Sequence, residues 1–171
     1  MQLLTTALSS PDTLLDHIIA STLADGIDLR DYIIDHICYR VPTLLDYERV
    51  SKILDTLATC LGEIMIAGRP IRTYLLNTPY IYNEWTIECV ELPAPKSGSD
   101  YKEGWEHAEI ATGMHPKEFI RLHPDLAFET GAISKSLNPE VALRYGEYCT
   151  KFHEFSLRYV VEVLEKDLPN R

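Results

Sequence analysis

Apolar positions along the chain follow first a helical and then a strand rhythm, and the pair of rhythms occurs twice. Leu14, Leu15, Ile18, Ile19 and Leu23 fall at helical spacing behind Ser9-Ser10-Pro11-Asp12, a capping serine with proline in the first turn, and Gly26 ends the pattern. This predicts an N-terminal helical extension over 10–26. Tyr32 to Val41 is a run of β-branched and aromatic residues of strand length, closed by Pro42. Leu44, Val50, Ile53, Leu54 and Leu57 return to helical spacing, predicting an amphipathic helix to about Leu61, before Gly62. Three strand-like runs follow, at 63–66, 71–76 and 84–92, separated by turns at Ala67-Gly68-Arg69-Pro70 and Asn77-Thr78-Pro79.

The stretch Pro93-Ala94-Pro95-Lys96-Ser97-Gly98-Ser99-Asp100 holds nothing apolar larger than alanine, so it reads as a linker over 93–103. Beyond it the order restarts with a strand at 105–111, a helix opened by His115-Pro116-Lys117-Glu118, and a final strand at 148–153. The segment between Asp125 and Asn138 carries no clear period, and Leu157, Val160, Val161 and Leu164 suggest a last short helix from Ser156 to Lys166. The expectation is a single α+β domain over 1–171. It is built from two βαβββ modules, about 30–92 and 104–171, forming a curved mixed sheet or incomplete barrel around a cleft, with the extra N-terminal helix outside.

Composition narrows the function. Hydrophobic residues make up 46% and charged residues 25%, ordinary values for a folded domain. The net charge of −10 comes without any Lys/Arg block, which argues against nucleic acid. No run approaches the roughly 18 apolar residues that cross a bilayer, and the start lacks a basic leader region, so the expectation is a cytoplasmic protein with no membrane partner. Cys38, Cys60, Cys89 and Cys149 form no C-x-x-C pair and each sits in an apolar stretch, as reduced core cysteines would.

Candidate chemistry comes from two similar motifs, Asp35-His36-Ile37 and Glu106-His107-Ala108, 71 residues apart at equivalent places in the two halves. Strand alternation puts His36 with Ile34, Cys38 and Arg40, and Trp105 with His107 and Glu109. It sends Asp35 and Glu106 to the opposite face, as structural partners. Glu91 ends the row Trp85, Ile87, Cys89, and Cys149, Lys151 and His153 share a face. If the modules pair about a pseudo-twofold axis, His36, His107 and Glu91 converge, and two imidazoles with one carboxylate suit a divalent ion such as iron, zinc, nickel or manganese. His153 offers a fourth ligand. Arg40, Arg69 and Lys151 could anchor an anionic substrate group, although Arg69 also reads as a solvated turn residue. Glu109 reads as a general base, an orienting partner for a metal-bound histidine, or an exposed strand carboxylate. His17, His115 and His123 fall on a helix face or before prolines, away from this set.

Asp35-His36-Ile37-Cys38-Tyr39-Arg40, Gly68-Arg69-Pro70-Ile71, Val90-Glu91-Leu92-Pro93-Ala94-Pro95, Gly104-Trp105-Glu106-His107-Ala108-Glu109-Ile110 and Lys151-Phe152-His153 resemble the bacterial YecM family from about Leu15 onward. That family is similar in fold to the vicinal-oxygen-chelate superfamily, which includes glyoxalase I, extradiol dioxygenases and methylmalonyl-CoA epimerase. The resemblance implies a metal held by first and fourth strands of each module, hence His36, Glu91 and His107. Where the superfamily usually has a glutamate, this chain has Lys151-Phe152-His153. The expected function is a divalent-metal-dependent isomerase, lyase or dioxygenase-like enzyme acting on a small oxygenated molecule, with Glu109, Lys151 and Arg40 in proton transfer or anchoring. The alternative is a non-catalytic binder of a small molecule or metal with the same fold. Because the copies lie in tandem, a monomer can close its own cleft.

Overall fold

The β-rich run before Pro42 builds β1 (Ile33–Arg40), and its counterpart builds β5 (Gly104–Ala111); these two strands form the centre of the molecule. A computed structural model of the chain describes residues 3–98 and 100–164. After α1 (Leu3–Ala7) and α2 (Asp12–Ala24), β1 leads through α3 (Leu44–Leu57) to β2 (Ala58–Ile66), β3 (Arg69–Tyr82) and β4 (Trp85–Pro93). Then β5 leads through α4 (Pro116–Leu122) to β6 (Glu140–Tyr145), β7 (Tyr148–His153) and the short α5 (Leu157–Tyr159). All seven strands lie in one open sheet in the order β2-β3-β4-β1-β5-β7-β6.

The pairing shows the doubling. β1 runs parallel to β4 and β5 parallel to β7, which demands crossovers, and α3 and α4 lie on them. The two half-sheets meet where β1 and β5 pair antiparallel. The second half is abbreviated: where the first has β2, the second has a single bridge from Glu129 to Ala142 at the edge of β6.

One face of the sheet is apolar and covered by the helices. Ile37 and Tyr39 of β1, Val90 and Leu92 of β4, Ala108 and Ile110 of β5 and Phe152 of β7 join one core with Leu14, Leu15 and Ile18 of α2 and Val50 and Leu54 of α3. Phe119 of α4 stacks on Phe152 at 4.6 Å, with Phe128 edge-on to both. The opposite face carries polar groups.

Several elements differ from the sequence expectation. α3 stops at Leu57, because from Ala58 the chain pairs with β3, opposite Leu76. β3 does not end at Asn77-Thr78-Pro79; a register shift between Leu75 and Tyr80 absorbs the proline, and pairing resumes. β6 shows no alternation because Val141, Ala142 and Leu143 are all buried. α5 is one turn, capped by Ser156 and continued by a π-helical turn over Val160–Leu164; Glu165 and Lys166 of the expected helix lie outside the described residues. Ala67 (φ 50°) and Gly68 (φ 77°) form the two-residue hairpin turn, and Arg69 starts β3, its Nη1 donating to the Ala94 carbonyl at 2.8 Å. That tether argues against a substrate role for Arg69. No helix among the described residues is long and apolar enough to cross a membrane.

The cysteines divide in a way the apolar runs did not foretell. Cys60 is exposed on the edge strand β2, whereas Cys38, Cys89 and Cys149 are buried, and burial pushes the Cys89 thiol up to about 12. A thiol reagent at neutral pH should therefore modify one cysteine per native chain promptly and the other three only on unfolding. Fast labelling of more than one in the native protein would contradict the packing.

Candidate metal centre

The register of the two central strands sets the site. In the β1–β5 ladder His36 faces Glu109 and Cys38 faces His107, so four functional side chains occupy adjacent positions on one face. On β4, Cys89 lies beside His36 and Glu91 beside Cys38. On β7, Cys149 lies beside His107, Lys151 beside Glu109 and His153 beside Ala111. The halves correspond position by position: Cys89 with Cys149, and Glu91 with Lys151. The three buried cysteines thus belong to this polar face.

Two register shifts add what simple alternation conceals. Between Ile34 and His36 the first strand advances two residues while its partner advances one, which leaves Asp35 as an extra residue. Between Cys38 and Tyr39 the reverse happens, and Glu106 is the extra residue on β5. Each bulge brings a carboxylate onto the same side as the histidine that follows it. Asp35 Oδ2 accepts from His36 Nδ1 at 2.8 Å and Glu106 Oε2 accepts from His107 Nδ1 at 2.9 Å. The expectation that Asp35 and Glu106 face away is therefore corrected. Ile34 and Trp105, expected beside the histidines, join the apolar core instead. There Trp105 meets Tyr39 edge-on, with ring centroids 4.9 Å apart.

With Nδ1 engaged, each imidazole turns Nε2 inward. His107 Nε2 lies 3.3 Å from Glu109 Oε1 and 3.7 Å from Glu91 Oε2, and His36 Nε2 lies 3.5 Å from the same Glu109 oxygen. Neither Nε2 has a hydrogen bond, although both are buried. His36, Glu91, His107 and Glu109 can each offer one ligand atom with all four within 4.8 Å of one another. Two imidazoles oriented by carboxylates, with buried nitrogens left for a ligand, and two further carboxylates form a donor set that fits a divalent ion.

This face is a cluster of ion pairs. Burial disfavours imidazolium at His36, yet the Glu109 and Asp35 carboxylates outweigh it and push the group up to about 10. His107 also lies well above its ordinary value against burial, with Cys38 and Glu106 facing it. Glu109 is held well below the carboxylate range despite burial, chiefly by Lys151 and then His36. Glu91 is lowered likewise, with Lys151 again the main opponent of burial. The Lys151 ammonium donates to Glu109 Oε1 at 2.5 Å and lies 3.5 Å from Glu140 Oε1. Arg40 donates through Nε to Glu106 and lies over the Tyr101 ring. For Glu106, hydrogen-bonded to both His107 and Arg40, burial is overcome and the carboxyl falls to about 2.

The structure therefore gathers His36, Glu91 and His107 as the sequence suggested, and puts Lys151 and Arg40 at the flanks of the cluster. It corrects the reading of Glu109 as an exposed strand carboxylate: the residue is 6% exposed and occupies the fourth corner. His153 stands one step away, its Nε2 3.5 Å from Glu109 Oε2 and 3.7 Å from Asp35 Oδ2. His115 caps α4 through Nδ1, and His123 packs on Phe119, both remote from the cluster. Arg40 and Glu106 also line a cavity of about 450 Å³ whose other walls include Ser10, Thr13, Leu14 and Trp105; none of the four donors lines it. The acid immediately before each histidine, part of both sequence motifs, is the feature whose face strand alternation gives wrongly.

Comparison with known proteins agrees with this fold. Protein YecM of Escherichia coli (strain K12) is 30% identical over 152 residues, 80% of each chain. A structural-genomics protein superposes with a TM-score of 0.73 at 27% identity, over 92% of this chain and 90% of its own. Streptomyces coelicolor methylmalonyl-CoA epimerase, solved as a single-residue variant in complex with 2-nitronate-propionyl-CoA, gives 0.53 at 11% identity, over 73% of this chain and 95% of its own. The last likeness is one of fold alone. The YecM protein family matches residues 4–137, and the chain belongs to that family.

Proposed function

We propose that the chain is a divalent-metal-dependent enzyme of the vicinal-oxygen-chelate type acting on a small oxygenated molecule, as an isomerase, lyase or dioxygenase-like catalyst. The observation that carries this reading is the pair of buried Nε2 atoms of His36 and His107 that make no hydrogen bond, each fixed by a carboxylate on Nδ1 and converging with Glu91 and Glu109. A bound ion supplies Lewis acidity toward an oxygen of the ligand. Asp35 and Glu106 fix the imidazole tautomer and direction. Lys151 holds Glu109 ionised, the form in which it would serve as a ligand, and Arg40 links the cluster, through Glu106, to the cavity it lines, where it would anchor an anionic substituent. Iron, zinc, nickel and manganese all suit mixed nitrogen and oxygen donors. A non-catalytic binder would use the same donors, and the burial of three of the four favours that second reading.

Elemental analysis after loading chelator-stripped protein with each ion tests the donor set. The wild type should retain at least one ion per chain, and His36→Ala and Glu91→Ala should lose it; an empty wild type under every loading condition would sink the proposal. Turnover of a panel of dicarbonyl and catechol compounds by loaded protein, absent in His36→Ala, separates the enzyme from the binder.

Glu106 gives a pH test of the orienting pair in metal-free protein. Its carboxyl falls from 4.5 to about 2 on folding, so its stabilisation is complete above about 4.5 and disappears as pH drops toward 2. Removing it by Glu106→Gln should cost about 1–2 kcal/mol near neutrality, after allowance for screening of a partly exposed group. The gap between the urea midpoints of wild type and variant should narrow as pH falls through that window; a gap independent of pH would refute the ionised pair.

A further inference from the structure

We infer that the chain binds a second divalent cation beside the first, held by His153 Nε2, the Asp35 carboxylate and Glu109 Oε2, with the Glu109 carboxylate bridging the two ions. This rests on the metal centre proposed above and extends it. The two oxygens of Glu109 serve different neighbours. Oε1 faces the Nε2 atoms of His36 and His107 at 3.5 and 3.3 Å, whereas Oε2 faces His153 Nε2 at 3.5 Å. On its other side His153 Nε2 is 3.7 Å from Asp35 Oδ2. Asp35, His36 and His153 form a second group of donors within 4.8 Å of one another, all buried, and His153 is absent from the first group.

The histidine itself points to a ligand. His153 is 1% exposed and its Nε2 makes no hydrogen bond. A buried imidazole nitrogen without a hydrogen bond is costly, a penalty that a coordinated cation removes. Its β5 neighbour is the small Ala111 and its ring stacks on His36 at 6.0 Å, which leaves Nε2 turned toward the two carboxylates. Asp35 is held in place by two donors, His36 Nδ1 and the backbone N–H of Leu157, each at 2.8 Å. Two carboxylates and an imidazole suit the same first-row divalent ions as the first site, and a shared carboxylate is a common link between paired ions.

Charge also leaves room for it. Asp35, Glu91, Glu106, Glu109 and Glu140 stand against the cations Lys151 and Arg40 in the connected cluster. With neutral imidazoles that is five negative charges against two positive, and one divalent ion leaves the cluster negative. A second brings it to a single positive charge, which hydroxide or an anionic ligand balances.

Equilibrium dialysis of chelator-stripped protein against Mn(II) or Zn(II), with ions counted per chain by elemental analysis, tests the inference. Electron paramagnetic resonance of the Mn(II)-loaded protein reports whether two ions are coupled. The wild type should bind two ions and give a spin-coupled spectrum. His153→Leu and the polar His153→Asn, which has no atom at the Nε2 position, should each retain one, with the second weakened at least tenfold and the coupling gone. Circular dichroism confirms folding, and the asparagine variant keeps the test open if the leucine variant fails to fold. One ion in wild type, whether or not His153→Leu loses it, overturns the second site and leaves the first standing; no ion in wild type overturns both.

Discussion

The antiparallel pairing of β1 with β5 is the constraint on which the remaining structure depends. It joins the two half-sheets, and its register alone decides that His36 meets Glu109 while Cys38 meets His107. A slip of one residue would turn every one of these side chains into the apolar core and every core residue of the two strands toward the cleft. The covered face opposes such a slip, since Ile37, Tyr39, Ala108 and Ile110 are already seated against the helices. The hydrophobic effect thereby holds polar donors in register on the far side of the same strands.

The bulges are the second half of that arrangement. An ideal ladder would place Asp35 and Glu106 among leucines and isoleucines, where an ionised carboxylate is costly. An extra residue in each strand moves the carboxylate across the sheet to the histidine that needs a fixed tautomer, and in the same step delivers Ile34 and Trp105 to the core. One local irregularity thus settles a burial problem and an orientation problem together. Bulges near functional groups commonly work this way.

This also explains what the sequence disclosed and what it concealed. The doubled strand and helix rhythm and the equivalent histidines were legible because periodicity reports burial on one face, and the core strands obey it. Glu91 was legible as the polar end of a buried row. Asp35, Glu106, Ile34 and Trp105 were misassigned because alternation presumes an unbroken ladder, and each bulge reverses parity at one point. Glu109 was left ambiguous because its burial comes from neighbours on β1 and β7, distant in sequence. β6 was hidden by a wholly buried run, and α3 was drawn too long because helix propensity gave way to pairing with β3. Cys60 and its three fellows look alike in sequence, and only sheet position separates an edge thiol from cleft thiols.

Lys151 stands where the twofold repeat would place a counterpart of Glu91. The backbone therefore presents two equivalent ends of the cleft while the side chains present opposite charges. A guest molecule rotated by half a turn would meet an ammonium where it had met a carboxylate. The duplicated scaffold has thus acquired a direction, and a flat or symmetric guest seated there would have two distinguishable faces.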